Sequence, residues 1–88
     1  MITELVEDKL VACVNLTDNI RSVYWWQGKV EQAGEVLLIL KSKRRLLKRI
    51  IKTVKSVHSY TVPEIIALPI IDGHKDYLDW IDESTVKS

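Results

Sequence analysis

The chain has 88 residues, three tryptophans, one cysteine and a formal net charge of +1. This length suits one domain, for which core burial alone gives marginal stability. A single cysteine excludes an internal disulfide, and the near-neutral charge argues against a general affinity for nucleic acid or acidic lipid. No apolar run approaches the ~20 residues that a membrane span needs, and the charged N-terminal residues argue against a signal peptide. A cytoplasmic protein without membrane contact is expected.

The first 30 residues predict a helix and then a long bent strand. Residues 3–10 favour a helix whose apolar side consists of Leu5, Val6 and Leu10. Alternation over residues 12–16 predicts the start of a strand, which continues over residues 20–30 after a polar interruption. Gly28 within this strand suggests a bulge or a close backbone approach.

The middle of the chain predicts a turn, a buried strand and a helix. Residues 32–34 favour the turn, and residues 36–40 have no polar face, so both faces of that strand should be covered. Residues 44–58 form the clearest helix, with a basic outer face and an apolar stripe of Leu47, Ile50, Ile51, Val54 and Val57.

The last part predicts a strand and a closing helix. Residues 64–71 are apolar, and Pro69 has no N–H to donate, which places this strand at a sheet edge or bulge. Residues 75–84 then favour a helix with Tyr77, Leu78, Trp80 and Ile81 turned inward. The predicted order of helix, strand, strand, helix, strand and helix is an α+β, ferredoxin-like βαββαβ unit that lacks its first strand and gains a C-terminal helix.

Charge is unevenly distributed along the chain. Eight of the thirteen basic residues lie between Lys41 and Lys55, whereas residues 72–83 hold five acids and a single lysine. A basic stripe supplies non-specific phosphate affinity, but no sequence motif of a nucleic-acid reader accompanies it. A solvated helix face is the simpler interpretation, and no nucleic-acid partner is expected.

Several ordered motifs resemble the CutA family of divalent-cation tolerance proteins. The most specific are YWWQGK at residues 24–29 and the proline-led VPEIIALPI at residues 62–70. The similarity extends over nearly the whole chain through the motifs LVE at 5–7, ACVN at 12–15, HSY at 58–60 and YLDW at 77–80. It implies a homotrimer similar to the PII signalling proteins and a first apolar strand that a right-handed crossover would place in the middle of the sheet. Met1 lies at the start of the first predicted helix, so the chain is expected to be truncated relative to the family.

The resemblance also suggests a metal site. His58 aligns with the histidine of a family motif linked to copper, although Ser59 replaces the usual proline. Imidazole and carboxylate suit Cu²⁺ or Zn²⁺, so His58 and Glu64 are the candidate ligands, with His74 as a further neighbour in sequence. The alternative is a histidine placed at a helix C-terminus by the helix dipole. Cys13 is interpreted as a packed residue, because free cysteine is usually buried.

A second candidate site follows from residues that match typical family positions. The resemblance implies that they gather around a cleft between subunits, where they would line a ligand pocket or anchor the interface: Tyr24, Trp26, Lys29, Lys41, Tyr60, Glu64 and Trp80. Trp25 and Trp26 should point to opposite faces of their strand, and tryptophans are enriched at interface hot spots.

No catalytic motif is present in the sequence, so an enzyme is not expected. The leading hypothesis is a trimer that binds copper or a related divalent cation. The alternatives are a regulatory trimer that senses a small ligand, as PII proteins do, and a structural or partner-binding trimer.

Overall fold

The computed structural model describes residues 2–57 and 64–87. Along the chain it contains a helix, a long β-hairpin, a helix entered through a 3₁₀ turn, and a closing helix: α1 (Ile2–Glu7), β1 (Cys13–Trp26), β2 (Lys29–Lys41), the 3₁₀ turn (Arg44–Leu46), α2 (Leu47–Val57) and α3 (Lys75–Glu83). These elements form an α+β fold, as predicted.

Helix α1 is shorter than the prediction of residues 3–10. Lys9 adopts a positive φ of 57°, and a left-handed residue of this kind ends a helix. The chain then folds back, so that the N–H groups of Leu10 and Val11 both donate to the Leu5 carbonyl. Leu10 is therefore buried, although it lies beyond the end of α1. Val6 is exposed, so it does not belong to the apolar side predicted for this helix.

The hairpin turn lies at residues 27–28, so the prediction of a turn at residues 32–34 is wrong. Gln27 and Gly28 have φ values of 49° and 80°, which is the two-residue turn that matches the twist of paired strands. Gly28 accordingly belongs to the turn and not to a bulge. Gly34 lies inside β2 and faces Arg21 across the ladder.

The predicted bend in the first strand is confirmed as a β-bulge. The register shifts between Thr17 and Ile20, where Asp18 and Asn19 together face Val36. A bulge places two residues against one and reverses the alternation of side chains beyond it. Cys13 and Asn15 therefore share a face of the sheet with Tyr24 and Trp26.

The core lies between the helices and the base of the hairpin. Its buried cluster contains Leu5, Leu10, Val11, Leu46, Ile50 and Val54. Val14 and Leu40 face each other across the two strands and pack against this cluster. In α2 the stripe is buried at Ile50 and Val54, whereas Val57 is exposed, contrary to prediction.

Helix α3 is attached to the rest of the chain by polar contacts. The Lys43 ammonium lies 3.2 Å from the Asp82 carboxylate and donates to the backbone carbonyls of Asp82 and Thr85 at 3.2 and 3.4 Å. The Val86 N–H donates to the Lys9 carbonyl at 2.9 Å, and Thr85 is buried with its hydroxyl on the Ile81 carbonyl. The Asp82 carbonyl also accepts from the Thr85 hydroxyl at 3.3 Å, so Lys43 adds a charged donor at the end of the helix.

The inward face predicted for α3 is only partly confirmed. Ile81 is buried and Leu78 is half-buried, but Tyr77 and Trp80 are exposed and contact each other with ring centroids 5.5 Å apart. The two aromatic rings therefore do not face the core, contrary to the prediction.

Two predictions about strands are not met in this chain. Residues 64–71 belong to no helix or strand, because the described sheet has two strands only and neither pairs with them. The apolar strand β2 is not covered on both faces, since Val36, Leu37 and Ile39 are exposed. Both departures occur beside the free edge of β2, where the ferredoxin-like order requires one more strand.

Candidate functional site

One face of the hairpin carries four of the residues assigned to the ligand pocket or interface. Tyr24 and Trp26 lie on this face of β1, and Lys29 lies directly opposite Trp26. Lys41 belongs to the same face of β2, because its position differs from that of Lys29 by an even number of residues. Because of the bulge, Cys13 lies on the same face as Trp26, although their positions differ by an odd number of residues. The alternation of polar and apolar residues in the sequence does not show this.

The four residues occupy opposite ends of that face. Tyr24, Trp26 and Lys29 surround the turn, whereas Lys41 is the last residue of β2. Lys41 is twelve positions beyond Lys29, which at ~3.3 Å per residue corresponds to ~40 Å. A single chain therefore does not bring these side chains into one pocket.

Lys41 lies beside the cysteine. The two residues are direct cross-strand partners, and the Lys41 ammonium is 4.0 Å from the Cys13 sulfur. Cys13 is half-buried, so the expectation of a fully packed thiol is only partly met. A lysine and a polarizable sulfur at this end of the hairpin form a small polar cluster that no sequence motif had indicated.

Trp80 lies on α3, with its ring against Tyr77. Neither residue belongs to the hairpin face. Tyr60, the remaining member of the predicted pocket, lies outside the described residues.

Two of the three metal candidates, Glu64 and His74, belong to the described residues. His58 lies outside the described residues, whereas Glu64 is exposed at the start of the unpaired segment. His74 is exposed before α3, and its carbonyl accepts the N–H groups of Tyr77 and Leu78. Within residues 2–57 and 64–87, no three His, Cys, Asp or Glu side chains come close enough together to hold a metal ion.

The basic run forms a shallow depression at the start of α2. A cavity of ≈ 770 Å³ is lined by four cations, Lys43, Arg44, Arg45 and Lys48. No acidic residue lies in the first turn of this helix or of the preceding 3₁₀ turn. The uneven charge of the sequence predicted this basic surface. It did not predict that the Lys43 ammonium would bind oxygens at the end of α3.

Comparison with known proteins gives the family. The model of the CutA1 divalent ion tolerance proteins matches residues 1–84. The chain belongs to the CutA1 family. Among curated CutA relatives, the chloroplastic CutA 1 of Oryza sativa is 49% identical over 84 residues, which is 96% of this chain and 48% of that protein. The divalent-cation tolerance protein CutA of Thermus thermophilus is 47% identical over 81 residues, which is 92% of this chain and 79% of that protein.

Solved CutA1 structures share the fold. The Thermus thermophilus structure matches with a TM-score of 0.93 and 45% identity, covering 97% of this chain and 82% of that one. The Oryza sativa CutA1 structure matches with a TM-score of 0.93 and 48% identity, covering 98% and 79%. The resemblance seen in the motifs and the α+β ferredoxin-like fold class are thus confirmed.

The relatives differ from this chain in length and from one another in location. The chain spans about half the length of several curated relatives, including those of rice and mouse at 48% and 46%. One relative is named chloroplastic, and a solved structure from Archaeoglobus fulgidus is titled periplasmic.

None of the helices in the described parts of the chain combines the length and apolar character needed to cross a bilayer.

Proposed function

We propose that this CutA1 protein acts in divalent-cation tolerance by binding a divalent cation, without catalysis, as a homotrimer with sites between subunits. The observation that carries the proposal is the split of one hairpin face into an aromatic end and a lysine end ~40 Å apart. Head-to-tail packing of identical chains brings opposite ends of one element together, and such contacts form a ring when the rotation between neighbouring chains closes.

The exposed apolar surface supports assembly. Trp25 is 74% exposed and Trp26 is 50% exposed, on opposite faces of the hairpin end. Val23 and Val30 share the face of Trp25 and are exposed as well. Soluble monomers rarely leave a contiguous aromatic and aliphatic patch uncovered, and such patches mark interfaces.

The metal proposal rests on the chemistry of the donors. Imidazole at His58 and carboxylate at Glu64 suit Cu²⁺ or Zn²⁺, and neighbouring subunits would complete the ligand number. The family name of the relatives supports a relation to divalent cations in general. Ligands shared between chains predict that metal affinity and assembly rise together.

Assembly is tested by sedimentation equilibrium of the 88-residue protein at micromolar concentration. We expect a trimer, and we expect the double variant Trp25→Ser, Trp26→Ser to dissociate because both faces of the hairpin end lose their contacts. The control variant Ile71→Ser, at a 94% exposed position outside the predicted interface, separates this effect from general loss of exposed apolar area. A folded monomer of the unmodified protein would refute the assembly.

Metal binding is tested by calorimetric titration with Cu²⁺ and Zn²⁺. His58→Ala should remove most of the binding while the trimer persists, and His74→Ala should have the smaller effect. Because a ligand imidazole must be neutral, binding should weaken as the pH falls. Unchanged copper affinity in His58→Ala, or equal losses in both variants, would contradict the assignment.

The basic depression favours one alternative, a regulatory trimer that senses a small anionic ligand. Its lining is entirely cationic, which suits an anionic ligand. A rise in melting temperature with nucleotides or organic anions, absent in Arg45→Ala, would favour this function. A cytoplasmic location stays a prediction for either function.

A further inference from the structure

The basic depression at the start of α2 concentrates positive charge on a shallow concave surface. Among the described residues its lining contains no acidic and no hydrophobic side chain and consists of Lys43, Arg44, Arg45 and Lys48. Arg44 and Arg45 belong to the 3₁₀ turn, and Lys48 follows one helical turn later. Residues three and four apart on a helix are neighbours, so Lys48 lies beside both arginines.

Three of the four cations have no partner of their own. The side chains of Arg44, Arg45 and Lys48 form no ion pair or hydrogen bond within residues 2–57 and 64–87. All three are exposed. Like charges at this spacing destabilise a helix slightly, and a bound anion removes their repulsion. The depression therefore presents three unneutralised positive charges to solvent.

The fourth cation, Lys43, is shared with α3. Its ammonium lies 3.2 Å from the Asp82 carboxylate and also donates to the carbonyls of Asp82 and Thr85. An anion in the depression and the Asp82 carboxylate attract the same ammonium and repel each other. Asp82 therefore lowers the affinity of the depression for anions.

The donors of the lining indicate the class of anion. A guanidinium presents a planar fork of N–H groups that matches two oxygens of one phosphate or carboxylate group. Two adjacent arginines and a lysine provide donors for more than one such group. A single phosphate ester carries ~−1.5 to −2 at pH 7, which is less than the three unpaired positive charges. An anion with two or three linked phosphate groups balances them better.

The lining offers little to the organic part of a ligand. Binding sites for organic molecules are lined mainly by hydrophobic and aromatic side chains, with a few polar groups that fix orientation. None of the four lining residues is hydrophobic or aromatic. A nucleoside or an acyl chain would gain no specific contact here, so the phosphate groups alone carry the recognition.

We propose that the basic depression binds an oligophosphate anion, of which inorganic pyrophosphate is the simplest, through Arg44, Arg45 and Lys48. Asp82 sets the affinity of the site, because it competes with the anion for Lys43. The proposal rests on the small-anion alternative given above, for which it names the ligand class, and it involves no metal ion.

The test is calorimetric titration of the 88-residue protein with sodium pyrophosphate at ~0.15 M salt, with a chelator that removes divalent cations. We expect saturable binding of one pyrophosphate per chain. Orthophosphate should bind at least about fivefold more weakly, and ADP should bind within about threefold of pyrophosphate because its nucleoside gains no contact. Absence of saturable binding, or ADP binding more than about tenfold tighter than pyrophosphate, would overturn the proposal.

Citrate separates this proposal from the alternative on which it rests. Saturable binding of citrate that is lost in Arg45→Ala, without any binding of pyrophosphate, would overturn the oligophosphate class and leave a small-anion regulatory trimer standing. Binding of neither anion would remove both.

Two matched double variants locate the site on α2. Arg44→Gln with Arg45→Gln removes two cations from the depression and should weaken pyrophosphate binding at least about tenfold. Lys52→Gln with Lys55→Gln removes the same charge from exposed positions of α2 outside the lining, and should weaken binding by at most about threefold. Equal losses in both variants would show a diffuse basic surface and would overturn the site.

A second pair of variants tests the role of Asp82. Asp82→Asn should strengthen pyrophosphate binding about twofold to fivefold, because a repelling charge is lost and fewer oxygens compete for Lys43. Asp79→Asn removes the same charge from the same helix, but this carboxylate pairs with Lys75 at 2.7 Å, so affinity should change by less than about 1.5-fold. Equal gains in both variants would overturn the role of Asp82.

Discussion

Lys43 anchors α3, and its replacement by methionine measures how much that anchor contributes to stability. The lysine side chain is 12% exposed and reaches three oxygens at the end of α3, at 3.2, 3.2 and 3.4 Å. Methionine keeps the apolar stem but leaves the carbonyls of Asp82 and Thr85 without their charged donor. Hydrogen bonds to a charged group contribute ~1.5–3 kcal/mol in favourable cases.

The contribution of the carboxylate is smaller than that of the two carbonyls. The Asp82 side chain is 61% exposed, so solvent reduces its ion pair with Lys43 to ~0–1 kcal/mol. A cation at a helix C-terminus adds ~0.3–1 kcal/mol. The lower ends of these ranges apply, because the Asp82 carbonyl keeps the Thr85 hydroxyl as a donor. They predict a loss of ~2 kcal/mol for Lys43→Met, which lowers the melting temperature by roughly 8–16 °C in a domain of this size.

The assay is urea unfolding followed by circular dichroism, at one fixed protein concentration because assembly would add to apparent stability. Lys48→Met is the matched control, since Lys48 lines the same basic depression, is exposed, and should change stability by less than ~0.5 kcal/mol. Asp82→Asn should cost ~0.5 kcal/mol, because the carbonyl contacts remain. Equal losses for Lys43→Met and Lys48→Met would refute the anchor.

Leu46→Ala should destabilise the protein by ~2–5 kcal/mol, because Leu46 is fully buried, whereas Ile71→Ala at a 94% exposed position should cost less than ~0.5 kcal/mol; equal midpoints in urea would contradict the described core. Gly28→Ala should cost ~1–2 kcal/mol, because alanine is strained at a φ of +80° in the hairpin turn. Gly34 has an ordinary φ and open space around it, so Gly34→Ala should be neutral or slightly stabilising. A larger loss of stability at Gly34 than at Gly28 would support a turn at residues 32–34 instead.

The position of the turn shows where the sequence was ambiguous. QAG at residues 32–34 and QG at residues 27–28 both contain a turn-forming glycine, and local composition favoured the longer one. The register decided otherwise, because pairing Trp26 with Lys29 lets the strands run to Cys13 and Lys41 with a single bulge. Long-range pairing outweighs local turn preference when it satisfies many more backbone groups.

The sequence named candidate site residues, whose roles stay predictions, but it did not give their geometry. The motifs singled out Tyr24, Trp26, Lys29 and Lys41, and the family comparison supports the motifs. That these residues share one face follows from the pairing of Trp26 with Lys29 and from the even spacing along β2, whereas the bulge places Cys13 on the same face. Lys43 was counted with the basic stripe, since its partners on α3 are ~40 positions away in sequence.

The sequence by itself determined the family, the α+β class, the helical stripe of Ile50 and Val54, and the bend in β1, because each depends on local periodicity or on ordered motifs. The tertiary structure alone decided the ends of α1, the turn, the anchoring of α3 and the unpaired state of residues 64–71. These features depend on which distant backbone groups find partners. An apolar segment such as 64–71 has strand character in its sequence, but it becomes a strand only when another chain segment lies beside it.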